Sequence, residues 1–346
     1  MKRLTPLLFG GCIALVAGSV RAQVSGAIQQ VDASQQRRQL EQTAKPTADG
    51  DTAPELYSGE SSDVGPQSVL RMKPRKTLFE AMADVQYFYT DNMFLATDHK
   101  VSADVLVSTA QFAFAPTPYE LFGGSFAPRF GYRHQWFDFG LISGEQVTAY
   151  NVSAHRLQVV DLNTFDFNAQ SPFVDLRWTR DNWGAAIGFD YTRLMTTSSY
   201  EQFYQEWVPC WGLQRIIPLN NQATVAIGYA GDYRFTDMSV FLPSFISRDL
   251  DDRTDQLLLV SCAWGLARQV VVQPYYQFKF THFVSSEVGS RNDYLNAFGL
   301  AVYWTVCPNC ELRAFADYNI RNSDNGAVPE YHQFDAGGGI NVTFRF

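Results

Sequence analysis

The feature that most constrains this chain is a period of two in its apolar residues, which continues from Leu78 to the last residue, Phe346. Successive side chains of a β-strand point to opposite faces of a sheet, so this period predicts strands rather than helices. The last predicted strand shows the pattern clearly, with one face built from Phe334, Ala336, Gly338, Ile340, Val342, Phe344 and Phe346. The predicted strands run for about 11 to 17 residues, whereas strands of soluble proteins usually have five or six.

The connections between the predicted strands alternate between short and long. The short ones are residues 116–120, 180–182, 218–222, 266–269 and 307–310. The longer ones are residues 96–101, 140–163, 195–199, 236–254, 284–292 and 322–331. Eleven connections join twelve strands, and an even number of long strands with one short-turn end predicts an all-β, transmembrane, up-and-down antiparallel β-barrel. The sheet must close, because an open edge would leave backbone groups unpaired in hydrocarbon.

Composition excludes several other classes of protein. The chain is 15% aromatic and 18% charged, with a net charge of -8, which excludes a disordered chain and a basic nucleic-acid binder. Apart from the extreme N-terminus it has no run of about 18 apolar residues, so a bundle of transmembrane helices is also excluded.

The first 22 residues have the form of a secretory signal. Lys2 and Arg3 precede an apolar stretch over residues 7–16, and Val20 and Ala22 are compact residues ahead of the expected cleavage before Gln23. The apolar stretch is about half the length that a bilayer crossing needs, which argues against an uncleaved anchor. Residues 1–22 are therefore predicted to be removed on export.

Residues 23–77 form a polar segment with a different composition from the rest. All but Phe9 and Tyr57 of the 51 aromatic residues lie from Leu78 onward. A segment so poor in apolar residues cannot bury enough surface to fold alone. We therefore predict a mostly disordered periplasmic tail over residues 23–77, with a short helix over residues 33–43, and a barrel over residues 78–346.

The strand pattern and the ending Gly-Gly-Gly-Ile-Asn-Val-Thr-Phe-Arg-Phe resemble the porin-like, single-chain β-barrels of the Gram-negative outer membrane. In that class an apolar C-terminal strand ending in Phe is the assembly signal, which the resemblance places at Phe344 and Phe346. The resemblance also implies an outer-membrane location with the tail and C-terminus in the periplasm. Its implied partners are outer-membrane lipid, lipopolysaccharide and the barrel-assembly machinery.

The polar parity of the predicted strands carries charges of both signs that are candidates to line a pore. They are Arg129, Arg133, Asp175, Arg177, Asp190, Glu206, Asp232, Lys279, Arg313, Asp317 and Asp335. Two interpretations of this set remain open. Arg129, Arg133 and Arg177 could guide anions through a lumen, or they could pair with Asp175 and Asp190 to fill a narrow barrel with salt bridges.

The sequence contains no pattern typical of catalysis or of a cofactor site. It has no Gly-x-Ser-x-Gly elbow, no His-Glu-x-x-His zinc helix and no phosphate-binding loop. We therefore predict that the chain is not an enzyme and binds no metal or cofactor. Cys307 and Cys310 flank a Pro-Asn turn between predicted strands, where a small disulfide is favoured over a redox-active dithiol.

Two functions from different classes fit these observations. The first is a narrow channel for small polar or charged solutes. The second is a non-conducting anchor or accessory of a surface or export system, plugged by its own lumen or tail, with a partner at the long loops. The implied ligand is a small solute in the first case and a surface or export partner in the second.

Overall fold

The computed structural model describes residues 26–38, 40, 77–142, 144, 146–151, 156–238, 248–267, 269–284, 291–326, 328 and 330–346. One helix, α1, covers residues 26–38 and 40. The strands are β1 (Phe79–Thr90), β2 (Ala103–Phe114), β3 (Tyr119–Leu121), β4 (Gly124–Phe139), β5 (Gln146–Asn151), β6 (Arg156–Asp161), β7 (Phe167–Arg180), β8 (Trp183–Thr196), β9 (Gln202–Pro218), β10 (Ala223–Asp237), β11 (Arg253–Ala267), β12 (Val270–Phe283), β13 (Arg291–Cys307), β14 (Cys310–Ser323) and β15 (Tyr331–Arg345).

Twelve of these strands form one closed antiparallel barrel. From β7 to β15 each strand pairs with the next, β1 pairs with both β2 and β15, and β4 connects β2 to β7. Every barrel strand therefore has a partner on both sides, and the sheet has no open edge. The predicted architecture of a twelve-stranded up-and-down barrel is confirmed. The remaining elements lie in connections: β3 extends the turn before β4, while β5, β6 and a 3-10 helix (Leu162–Phe165) lie between β4 and β7.

The barrel is apolar outside and polar inside, which is the reverse of a soluble protein. Large hydrophobic side chains are exposed on the outer face around the ring, among them Phe112, Ile187, Leu213, Phe298, Leu300 and Ile340. The inner face buries polar residues, among them Asp84, Gln135, Glu206, Gln273, Asp317 and Gln333. A transmembrane barrel has this arrangement because lipid surrounds it and water or protein fills it. Among the residues described, no helix combines the length and apolar character needed to cross a membrane.

The outer face gives a prediction about depth in the bilayer. Leu300 lies near the middle of β13 and is 47% exposed, whereas Leu266 lies at the short-turn end of β11 and is 57% exposed. We expect Leu300→Arg to lower the free energy of unfolding by about 2–4 kcal/mol, and Leu266→Arg to lower it by no more than about 1 kcal/mol. Denaturant titration of both variants in lipid vesicles measures the difference, and equal costs would contradict a membrane belt centred on β13.

Candidate functional site

Helix α1 lies inside the barrel. Its polar side chains reach three strands that are far apart around the ring. The amide of Gln29 donates to Gln333 on β15 at 2.8 Å, and Ser34 accepts from Gln135 on β4 at 3.0 Å. Gln36 accepts from Gln277 on β12 at 3.2 Å. A single short helix can contact all three strands only from within the lumen.

The position of helix α1 differs from the sequence prediction. The sequence predicts a short helix over residues 33–43 in a periplasmic tail, whereas the described helix covers residues 26–38 and 40 and is surrounded by barrel strands. The rest of the 23–77 segment lies outside the described residues, except for Thr77. The helix is polar on nearly every side, as Gln29, Gln30, Gln35 and Gln36 illustrate, because the wall around it is polar too.

The first helical residues sit in an apolar seat at the long-loop end of the barrel. Ala27, Ile28 and Val31 are buried in a cluster of inward-facing side chains. The wall of this cluster includes Met93, Phe137, Phe139, Leu162, Phe167, Leu194, Phe203 and Tyr204. The N-terminal part of the helix therefore lies at the long-loop end of the barrel, and the charged residues Asp32 and Arg37 lie deeper in the lumen.

Arg37 is the deeper of the two charged anchors of the helix. Its Nε lies 3.0 Å from Asp317 Oδ2 on β14, and its Nη2 lies 3.1 Å from Asp335 Oδ2 on β15. The guanidinium carbon is also 4.7 Å from the ring centroid of Phe88 and 4.1 Å from that of Phe315. One cation thus receives two carboxylates and two aromatic faces, and its side chain is only 7% exposed.

Glycines on the wall make room for the groups that hold Arg37. Phe88, Gly337 and Phe315 are register partners in one row across β1, β15 and β14, and the two rings meet over the glycine with centroids 6.0 Å apart. In a second row the Tyr275 ring lies over Gly299, and its hydroxyl donates to Asp317. A Cβ at Gly299 would overlap with the Tyr275 ring. A Cβ at Gly337 would overlap with Phe88 Cβ and with the Tyr87 carbonyl oxygen.

Asp32 is the second charged anchor, five residues before Arg37 and nearer the long-loop end. Its carboxylate lies 3.0 Å from Arg234 Nη1 on β10 and 3.2 Å from Lys279 Nζ on β12. Arg234 also contacts Glu206 at 3.2 Å, and Lys279 also contacts Asp255 at 3.0 Å. The helix thus contributes one carboxylate to a network of wall charges in which Glu206, Arg234 and Asp255 are themselves buried.

The short-turn half of the lumen contains ion pairs between wall residues. Arg313 contacts Asp84 at 2.8 Å, across β14 and β1. Arg129 contacts Glu80 at 2.6 Å and Asp175 at 3.4 Å. The Arg313–Asp84 pair reaches across β15 and the Arg129–Glu80 pair reaches across β2, so these pairs cross-link strands that are not adjacent in the sheet.

All eleven predicted pore-lining residues lie on the luminal face, and the structure divides them between two levels. Those associated with the helix or its network are Glu206, Asp232, Lys279, Asp317 and Asp335. Those nearer the short-turn end are Arg129, Arg133, Asp175, Arg177, Asp190 and Arg313. Arg177 forms an ion pair with Asp175, which also pairs with Arg129. The Arg133 guanidinium lies over the Phe173 ring, 5.2 Å from the ring centroid.

The sequence prediction missed Asp32, Arg37, Arg234, Arg253 and Asp255. Arg234 shares the parity of Asp232 on β10, so the period of two carried that signal. Arg253 was assigned to a loop over residues 236–254, but it begins β11. Asp32 and Arg37 carried no recognisable pattern, because the apolar residues of the helix are confined to Ala27, Ile28 and Val31 at its N-terminal end and the rest of it is mostly polar.

The remaining predicted positions lie at the short-turn end. Cys307 and Cys310 are joined by a disulfide across the turn between β13 and β14. Phe344 and Phe346 are both more than half exposed at the end of the chain. The backbone N–H groups of Leu78 and Phe79 donate to the Phe346 carbonyl, so the end of the chain is tied to the start of β1. Within the described ranges no group of three His, Cys, Asp or Glu side chains is arranged to hold a metal ion.

No protein-family model matches the sequence, and no curated protein is significantly similar to it. Among solved structures, the chain is similar to the beta domain of the Bordetella autotransporter BrkA, with 13% identity and a TM-score of 0.43 over 78% of this chain and 100% of that one. It is also similar to an outer-membrane channel from Pseudomonas putida F1, with 9% identity and a TM-score of 0.48 over 78% and 96% of the two chains. It is similar, too, to an anion-selective porin from Comamonas acidovorans, with 8% identity and a TM-score of 0.36 over 78% of this chain and 100% of that one. At these identities and TM-scores the similarities give no information about which solute this chain transports or binds.

Proposed function

We propose that this chain is an outer-membrane channel for small polar or charged solutes and that helix α1 closes its lumen until the helix is displaced. The observation that supports this proposal is the way the lumen is filled. A barrel with an apolar outer belt encloses a charged interior, and a segment of the same chain occupies the long-loop half through ion pairs at Asp32 and Arg37.

The contacts of the helix are of a kind that allows release. Most are ion pairs and amide hydrogen bonds, which separate without exposing a large apolar surface. Breaking a buried ion pair costs about 3–5 kcal/mol when one partner is left behind. Since about 1.4 kcal/mol corresponds to a tenfold change in an equilibrium, one such anchor keeps the open form to roughly one molecule in a thousand. The channel is therefore closed at rest and needs a trigger.

The proposal includes an orientation. The short-turn end and Phe346 face the periplasm, and the long loops face outward, as in other barrels of this architecture. Helix α1 then closes the outer half of the lumen. Lipopolysaccharide surrounds the outer rim in this orientation, and the barrel-assembly machinery recognises the strand that ends at Phe346.

Conductance in planar bilayers tests the proposal. We expect the refolded chain from Gln23 to Phe346 to be closed for most of the recording, and removal of residues 23–40 to raise the open probability at least tenfold. Circular dichroism and the heat-dependent shift in gel mobility serve as the folding control for both forms. The ion selectivity of the opened form then reports which sign of solute the wall charges favour.

One observation favours a second function. The ion pairs of the short-turn half, such as Arg313 with Asp84, fill part of the lumen without the helix. A correctly folded barrel that stays silent after removal of residues 23–40 would indicate a non-conducting anchor or accessory of a surface or export system. Neither function assigns a catalytic step to the chain.

A further inference from the structure

A cavity of about 130 Å³ lies between helix α1 and the wall formed by β11 to β15. It reaches the long-loop end, since its lining includes Asp251 in the connection before β11 and the first residues of β13 and β15. A single water needs about 10–15 Å³ measured in this way, so the cavity can hold a small organic molecule with its hydration.

Four cations line this cavity. Two of them also pair with Asp255 of the wall, and the other two share a single wall carboxylate. The cations are Arg253, Lys279, Arg291 and Arg321. Arg291 and Arg321 share Asp293, which lies 3.0 Å from Arg321 Nη2. The Nε atom of Arg321 is buried and has no hydrogen-bond partner among the described residues. Lys279 forms ion pairs with Asp255 of the wall and with Asp32 of the helix.

We propose that Asp32 occupies the place of a ligand carboxylate, and that a small multi-carboxylate anion binds this cavity from the long-loop end, replaces Asp32 on Lys279 and Arg234, and loosens helix α1. The inference rests on the proposed function, in which that helix closes the lumen. It adds the chemical class of the solute that triggers opening.

The charges of the cavity favour an anion over a neutral or cationic solute. Asp32, Asp251 and Asp293 are the acidic residues of the lining, and Asp32 leaves the site with the helix. Asp255 stays with Lys279 and Arg253, while Arg291 and Arg321 share Asp293 alone. One incoming carboxylate can therefore take the place of Asp32 beside Lys279, and a second can pair with Arg321. Two or more carboxylates on one molecule are needed, because Lys279 and Arg321 lie on different strands and each can bind one.

Calorimetric titration of citrate into the refolded chain from Gln23 to Phe346 tests the inference, at constant ionic strength and with glycerol as the uncharged comparison. We expect saturable citrate binding and none for glycerol. Asp32→Asn removes the competing charge with little change in shape, so it should tighten citrate binding at least tenfold. Lys279→Met and Arg321→Met should each weaken it at least tenfold.

Arg248→Met is the matched control. Arg248 lies at the same end of the barrel, is mostly exposed, and pairs with Asp237 outside the cavity. It should leave the citrate dissociation constant within twofold of the wild-type value. Loss of binding in this variant equal to that in Arg321→Met would overturn the inference in favour of a diffuse charge effect at the mouth.

Two further results would also overturn it. The first is an absence of saturable citrate binding in both the wild type and Asp32→Asn, and the second is an equal dissociation constant in these two proteins. Binding is measured without conduction, so these results differ from failure of the proposed function, which is a silent barrel after removal of residues 23–40.

Discussion

Arg37→Glu is expected to convert a mostly closed protein into a mostly open one. The substitution removes the cation that two buried carboxylates share and places a third carboxylate beside Asp317 and Asp335. Losing the partner of a buried pair costs about 3–5 kcal/mol. In addition, each pair of like charges about 4 Å apart contributes a repulsion of at most about 4 kcal/mol at an effective dielectric constant near 20. The sum exceeds what one anchor contributes, so the helix should leave its site in most molecules.

Single-channel recording measures the open probability of this variant, and two companions isolate the cause. Arg37→Met loses the ion pairs without adding repulsion, so it should open less often than Arg37→Glu. Gln35→Glu adds an acid to the same helix, away from the two carboxylates, and should stay near the wild-type open probability. Arg37→Glu combined with Asp317→Arg restores an ion pair of reversed polarity and should close the channel again in part.

A folded Arg37→Glu barrel that remains as silent as the wild type would contradict the role of this anchor. The helix would then be held by its apolar seat around Ala27 and Ile28, or the lumen would be closed by the wall ion pairs alone. Removing residues 23–40 distinguishes these two cases, because only the first barrel opens.

The barrel was predictable from the sequence because its physics is local. Each lipid-facing residue must be apolar and each neighbour along the strand faces the lumen, so Phe334, Ile340 and Val342 reveal the last strand by alternation alone. Closure followed from the cost of an open edge in lipid. The eleven charges named from the sequence also lie on the lumen-facing parity of their strands, and their role in lining a pore stays a prediction.

From the sequence, a barrel plugged by its own lumen or tail was one of two open alternatives, and the pattern did not identify the segment that docks. Apart from Ala27, Ile28 and Val31, residues 26–38 are mostly polar, so their composition resembles that of a solvated tail. The docking partners of Arg37 depend on which residues of β1, β14 and β15 lie in register. That register is a long-range property, and a single sequence does not display it.

Inward-facing aromatics are the clearest case of this limit. Phe88, Phe315 and Tyr275 lie on the polar parity of their strands, where the alternation predicts small or polar residues. Each is accommodated because the neighbouring strand has a glycine beside it, Gly337 for the first two and Gly299 for the third. The pairing of glycine with aromatic becomes visible only when the strands are aligned.

Gly337→Val tests this packing and is expected to lower the free energy of unfolding by more than about 3 kcal/mol. A Cβ at this position would overlap with the Phe88 Cβ and with the Tyr87 carbonyl oxygen. The overlap involves backbone, which cannot rotate away as the end of a side chain can, so the cost should exceed the usual range of about 1–3 kcal/mol for overpacking. The strain falls on the β1–β15 pair, whose hydrogen bonds close the barrel.

Gly228→Val is the matched control, since Gly228 is also a luminal glycine in the middle of a strand. The atom nearest to its added Cβ would be Leu259 Cβ at 3.9 Å, which is an ordinary contact, and valine suits a strand. We expect its unfolding free energy to stay within about 1 kcal/mol of the wild type in urea titrations. The two variants should also differ in gating, because only Gly337→Val displaces β1 at Phe88, whose ring contacts Arg37. Equal stability of the two valine variants would contradict the overlap between a Cβ at position 337 and strand β1.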